Sequence, residues 1–153
     1  MAVTVINSPA ELLGKEGLTI GPSEWLEMTQ DRVNTFADAT GDHQWIHVDL
    51  ERAKLGPFVG TIAHGYLTLS LAAKFMDEIL TINGMSMGIN YGTDRVRFLS
   101  PVLVGKRVRG VGEFLEIKEA GGGFQSVLRV TIEIEGEEKP ALIADWLGMQ
   151  FTS

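Results

Sequence analysis

Ile62-Ala63-His64-Gly65-Tyr66-Leu67-Thr68-Leu69-Ser70-Leu71-Ala72-Ala73-Lys74-Phe75-Met76-Asp77-Glu78-Ile79-Leu80 is the stretch that decides how this chain folds. The spacing predicts a helix over residues 62–80. Its early turns carry only Thr68 and Ser70 as polar groups among Tyr66, Leu67, Leu69, Leu71, Ala72 and Ala73, so they are apolar nearly all round. Lys74, Asp77 and Glu78 mark an end that emerges into water. A helix this apolar has to be enclosed, and its charge-free part is shorter than the about 20 residues a bilayer span needs. A sheet wrapped around it is the expected enclosure.

The second half of the chain supplies strands for that sheet. Met85, Met87, Ile89 and Tyr91 alternate at odd positions and Val96 and Phe98 at even ones, so a bulge near Gly92-Thr93 is expected to keep one apolar face inward. Residues 106–118 form a second long strand, and Phe124, Leu128, Val130, Ile132 and Ile134 alternate with polar residues in a third. Gly121-Gly122-Gly123 and Gly136-Glu137-Glu138-Lys139-Pro140 are hairpin turns. Residues 141–150 are apolar on both faces, which places the last strand inside the sheet. Upstream, Ser8-Pro9 starts a short helix. Residues 24–28 read as a first strand with Trp25, and Leu26 as a further candidate, turned inward. Thr29 caps a helix whose Val33, Phe36, Ala37 and Thr40 share a face, and Gly41 ends it. Residues 42–60 have neither period, apart from a turn of helix over 49–54. Trp45, Ile46, Leu55, Phe58 and Val59 make this excursion too apolar for disorder, so it is expected to be packed and functional. The fold class is α+β, with one domain over residues 1–153.

Composition narrows the function. With 153 residues, 44% of them hydrophobic and 22% charged, the chain can bury a core. Zero cysteines exclude disulfides, thiolate metal sites and a cysteine nucleophile. Thirteen Lys and Arg against twenty Asp and Glu give a net charge of −7, which argues against nucleic acid as partner. The N-terminus lacks the basic and apolar segments of a signal peptide, so a cytoplasmic location with no membrane partner is expected.

Asp42 and His47 follow the helix-ending Gly41. A carboxylate and an imidazole held on one rigid segment can share a water, one removing its proton while the other orients it, which suits addition or elimination of water. Spacing alone also allows a plain turn beside a packed histidine. His43 and His47 stand four apart as a helical metal pair would, but Gly41 and Trp45-Ile46 argue against a regular helix, and no metal is expected. At His64-Gly65 the free N–H groups of the helix start could stabilise an oxyanion, or Gly65 could simply permit close packing. Arg95, Arg97, Lys106, Arg107 and Arg109 form a basic cluster suited either to the phosphates of a carrier such as coenzyme A or to the solvated face of strands.

Taken together, Phe36-x4-Gly41-Asp42-x4-His47-x5-Ala53, Gly56-Pro57-Phe58-x4-Ile62-Ala63-His64-Gly65 and Arg97-Phe98-x2-Pro101-Val102 resemble the MaoC-like (R)-specific enoyl-CoA hydratases, and Gly-Asp-His-Gln-Trp-Ile-His the nodulation-protein-N-like branch. The resemblance implies a hot-dog fold, an antiparallel sheet around the 62–80 helix, pairing as a homodimer. It implies hydration of trans-2-enoyl-CoA with Asp42, His47 and the Gly65 N–H as catalytic groups. Substrate contacts are expected from Gln44, Trp45, His64, Tyr66 and Arg97, with no cofactor beyond the coenzyme A of the substrate. Gln44-Trp45 stands where typical hydratases have Asn-Pro; Gln44 keeps an amide, while Trp45 changes the local backbone. A non-catalytic acyl-CoA-binding module and a thioesterase are the alternatives on the same scaffold.

Overall fold

The computed structural model describes residues 2–152; Met1 and Ser153, the ends of the expected 1–153 unit, lie outside the described residues. The chain runs β1 (Thr4–Ile6), a 3-10 turn (Pro9–Leu12), β2 (Thr19–Ile20), β3 (Leu26–Glu27), α1 (Gln30–Thr40), α2 (Trp45–Val48), α3 (Leu50–Lys54), α4 (Gly65–Ile79) and β4 (Leu80–Ile82). The long strands β5 (Met85–Phe98), β6 (Arg107–Ala120), β7 (Gly123–Ile134) and β8 (Leu142–Thr152) follow. They make an antiparallel sheet in the order β2-β6-β7-β8-β5, with β3 also on β6. As expected, β8 is interior, the triple-glycine turn joins β6 to β7, and β5 changes register between Asn90 and Gly92.

Helix α4 lies over β6, β7 and β8. Leu67, Leu71, Phe75, Met76 and Ile79 are buried against Val108, Phe114, Leu128, Val130, Ile132 and Leu142. Two glycines let the helix sink this close: a Cβ on Gly110 would stand 2.7 Å from the Phe75 Cβ, and one on Gly112 3.2 Å from the Met76 sulfur. The helix exit is clamped by β1, which pairs in parallel with β4 through Thr4↔Leu80 and Ile6↔Ile82.

Several expectations are corrected. The long helix begins at Gly65 and ends at Ile79, because the backbone of Ile62 and Ala63 is bonded outward instead: the Ile62 N–H donates to the Ile46 carbonyl at 3.0 Å and the Ala63 N–H to Val102 at 2.8 Å. The segment expected as a strand over 24–28 keeps only Leu26–Glu27, and β1 and β2 precede it. Met28 is its fully buried side chain, while Trp25 stays half-buried beneath the Arg109 guanidinium, 4.3 Å from its ring. Ser8 makes no side-chain cap, since a single 3-10 turn closes by its own backbone. Thr29 does cap α1, accepting from the Arg32 N–H, and Gly41 ends it at φ 84°, but Thr40 faces solvent and bonds back to the Phe36 carbonyl. The excursion holds α2 as well as the expected turn over 49–54. Met85, Met87, Ile89 and Tyr91 do not turn inward: they lie on β5, the edge strand of the sheet, and all four are exposed.

Gly110→Ala is therefore expected to lower unfolding free energy by about 1–3 kcal/mol through overpacking. Gly88→Ala, whose new methyl would meet only the end of Met85 at 3.4 Å, should stay within about 0.5 kcal/mol. Chemical denaturation of the two variants checks the contrast.

Candidate active site

Residues 41–65 form one tied loop between α1 and α4. Gly41 ends α1 in the left-handed region, turning the chain so that Asp42 leads away from the helix axis. The short helix α2 then carries His47 inward, where it is 6% exposed. The His47 Nδ1–H donates to the Ile62 carbonyl at 2.7 Å, which fixes the tautomer and leaves the Nε2 lone pair free while the ring is neutral. Its own carbonyl accepts from Gln30 Nε2 at 2.8 Å, and Gln30 Oε1 accepts from the Thr61 hydroxyl at 2.7 Å. Gln30 and Thr61 thus brace the imidazole from α1 and from the approach to α4. Sequence reasoning missed both, because contacts across such separations leave no local spacing signal.

His64 is the second buried imidazole, 3% exposed. Its ring stacks on His47 with centroids 3.8 Å apart and an interplanar angle of 20°. Its Nε2–H donates to the Asp42 backbone carbonyl at 3.0 Å. A carboxylate oxygen of Asp42, a ring nitrogen of His47 and one of His64 all lie within 4.8 Å of one another. The Asp42 side chain is exposed and accepts from the Gln44 N–H at 3.3 Å. Three such groups have the composition of a metal site, but the geometry fits an ion poorly. An ion between two nearly parallel, stacked rings would sit well out of the plane of both, where neither lone pair points. His43 turns away to an exposed pair with Asp38 at 2.9 Å, which raises its pKa.

Burial pushes the His47 pKa below its ordinary 6.5, and the neighbouring His64 acts in the same direction; the Ile62 hydrogen bond and Asp42 oppose them. The neutral base is the favoured form near pH 7.

Beside this cluster lies a cavity of about 430 Å³, lined among others by His47, Gly65, Tyr66, Thr68 and Phe98. Gly65 is the first residue of α4, and the first N–H groups of a helix have no partner within it. A Cβ on Gly65 would stand 2.9 Å from the Phe98 ring, so the glycine keeps the mouth of the cavity open. Tyr66 is 72% exposed and meets Phe98 edge-on, with centroids 6.0 Å apart. The other expected contacts lie elsewhere. Gln44 is exposed, Trp45 packs under the Arg52 guanidinium and against Gly56, and Arg97 donates to the Val96 carbonyl; none of the three lines the cavity. Of the basic cluster, Lys106, Arg107 and Arg109 face Glu137, Glu135 and Glu133 in cross-strand ion pairs, the arrangement of a solvated sheet face.

The MaoC like domain family matches residues 14–136. A 3-hydroxyacyl-thioester dehydratase Z from Mycobacterium tuberculosis is 48% identical over 139 residues, covering 90% of this chain and 92% of that protein. A nodulation protein N from Rhizobium leguminosarum bv. viciae is 48% identical over 143 residues, covering 92% and 89%. Among solved structures, an unliganded R-hydratase from Pseudomonas aeruginosa superposes with a TM-score of 0.77 at 21% identity, covering 95% of this chain and 86% of that one. The architecture is the hot-dog fold, an antiparallel sheet wrapped around a long helix.

His47 gives a testable sign. The folded state holds its proton less tightly than the unfolded state, so the unfolded chain binds more protons as pH falls through 6.5 towards the lowered value. The part of the stability owed to neutral His47 is present above pH 6.5 and is lost below it. Denaturation of the wild type should show this acid-side decline, and the His47→Gln variant should lack it.

Proposed function

The chain belongs to the MaoC-like domain family, and on that premise we propose that it is an (R)-specific enoyl-CoA hydratase, adding water reversibly and syn across a trans-2-enoyl-CoA to give an (R)-3-hydroxyacyl-CoA. The observation that carries the reading is the meeting of Asp42 and His47 beside a cavity whose wall includes the start of α4. In this reaction an O–H bond of water breaks, its oxygen bonds to the β-carbon, a proton goes to the α-carbon and the carbon–carbon π bond is consumed. His47, neutral at Nε2 and held by Ile62, and the Asp42 carboxylate activate the water and deliver the proton. As the enolate forms, negative charge gathers on the thioester oxygen, and the Gly65 N–H, backed by the helix dipole, stabilises it.

Coenzyme A enters as part of the substrate, and the proposed chemistry uses no other cofactor. The proposed enzyme works on fatty acyl thioesters in the cytoplasm as a homodimer. The exposed Met85, Met87, Ile89 and Tyr91 on the edge strand β5 support the dimer, since an open apolar edge invites a second chain. No helix among the described residues is long and apolar enough to cross a membrane.

Mixing the protein with crotonyl-CoA should consume the enoyl absorbance and yield (R)-3-hydroxybutyryl-CoA. Asp42→Asn and His47→Gln should each lower kcat by at least about a hundredfold. Release of free thiol would instead identify a thioesterase, and saturable binding without product, unaffected by either substitution, a non-catalytic module. Gly65→Ala should abolish turnover by driving its methyl into Phe98, and the added Phe98→Ala change should restore part of it.

A further inference from the structure

The buried face of His64 is occupied in a way that substrate binding does not explain. One ring nitrogen is committed to the Asp42 backbone, one ring face to His47, and Phe36 closes in at 4.8 Å. The remaining nitrogen, Nδ1, is buried with no hydrogen-bond partner. Such an orphan acceptor lowers stability, so folding alone would favour an apolar ring of similar shape. His64 is also the N-cap residue of α4: its carbonyl accepts the Thr68 N–H at 3.2 Å, and Gly65 follows it directly.

We infer that His64 is a positioning residue that sets the acid/base pair and the helix start in register. Its Nε2–H fixes the Asp42 main chain, its ring face fixes the His47 imidazole, and its own backbone leads into Gly65. A single side chain thereby joins α1's exit, α2 and α4, adding to the Gln30 tie between α1 and α2. The inference rests on the hydratase reading and assigns His64 a different task from contacting substrate: it does not line the cavity. Because His64 acts through its neighbours, its loss should appear in turnover and in the titration of His47 rather than in affinity. The groups whose charge bears on His47 are His64 and Asp42, so removing the His64 imidazole leaves only Asp42, which favours the protonated ring.

The test compares wild type, His64→Phe and His64→Gln, with crotonyl-CoA as substrate. His64→Phe keeps a flat ring against His47 and removes the orphan, so its thermal midpoint should be at or above that of the wild type. Its kcat should nevertheless fall by about a hundredfold, the cost of an ångström-scale displacement of a catalytic group, with KM changed by less than about twofold. His64→Gln keeps a donor for Asp42 but loses the ring face, and should fall by about tenfold. In an Asp42→Asn background, His64→Phe should cost less than about threefold more, because its partner's role is already gone. In both single variants the acid limb of kcat/KM should move upward towards pH 6.5, and the NMR titration of the His47 ring should move with it. A raised KM at unchanged kcat would make His64 a substrate contact and overturn the inference, as would losses that multiply in the Asp42→Asn background or an unmoved His47 titration. Absence of turnover in the wild type would defeat the hydratase reading, while the His47 titration would still decide the inference.

Discussion

The closeness of α4 to the sheet is the constraint on which the rest depends. Phe75 and Met76 can seat themselves on β6 only because Gly110 and Gly112 present no side chain there. Once the helix is sunk to that depth, its direction is set by Ile79 and Leu71 in the core and by the β1–β4 clamp at its exit. Its other end then projects towards the β8 entrance and Phe98, where Gly65, Tyr66 and Thr68 line the cavity. The electrostatic value of a helix start is confined to its first turn, so a displacement of the helix by one turn would remove it from the site. Packing remote from the cavity therefore determines where charge can be stabilised.

The loop over 41–65 meets the opposite demand: it must be irregular, yet hold two side chains rigidly. It does so with ties at both ends and in the middle. His64 holds Asp42, Ile62 holds both Ile46 through its N–H and His47 through its carbonyl, and Gln30 holds His47 from outside the loop. Backbone groups of this segment are thus satisfied by each other, by imidazoles and by the Gln30 amide. The same bonds that stabilise the loop select the His47 tautomer. Stability and chemical readiness come from one set of contacts.

Much of this was legible in the chain. Thr29 and Gly41 are local signals, since a cap needs only the residues beside it, and they mark α1 correctly. The glycine turn between β6 and β7 and the apolar character of β8 depend on short range or on pattern, and both are found as read. Asp42 and His47 stood out only through the whole motif from Phe36 to Val102, because an acid and an imidazole near a turn are common by themselves; the structure brings the two together beside the cavity. What depends on distant partners was not legible. The parallel pairing of Thr4 with Leu80, the Gln30 brace and the cross-strand partners Glu133, Glu135 and Glu137 arise from tertiary placement. The alternation in β5 was read correctly as a strand but wrongly as a face turned inward, since alternation states that two faces differ and not what covers either.

Two imidazoles stacked at 3.8 Å impose a further condition on the site. Burial disfavours a proton on His47, and a charge on the neighbouring His64 ring acts in the same direction. The Asp42 carboxylate favours a proton on His47, which burial opposes as the larger influence. His47 is thus neutral near pH 7 with an accepting nitrogen at Nε2, and in the proposed hydration Asp42 would stabilise the proton it takes from water. In the proposed reaction, an arrangement that made His47 strongly basic would hold that proton too firmly to return it, and the nearby Asp42 charge eases its uptake. The pH at which His47 gains its proton is therefore set by its neighbours His64 and Asp42 as well as by its own burial.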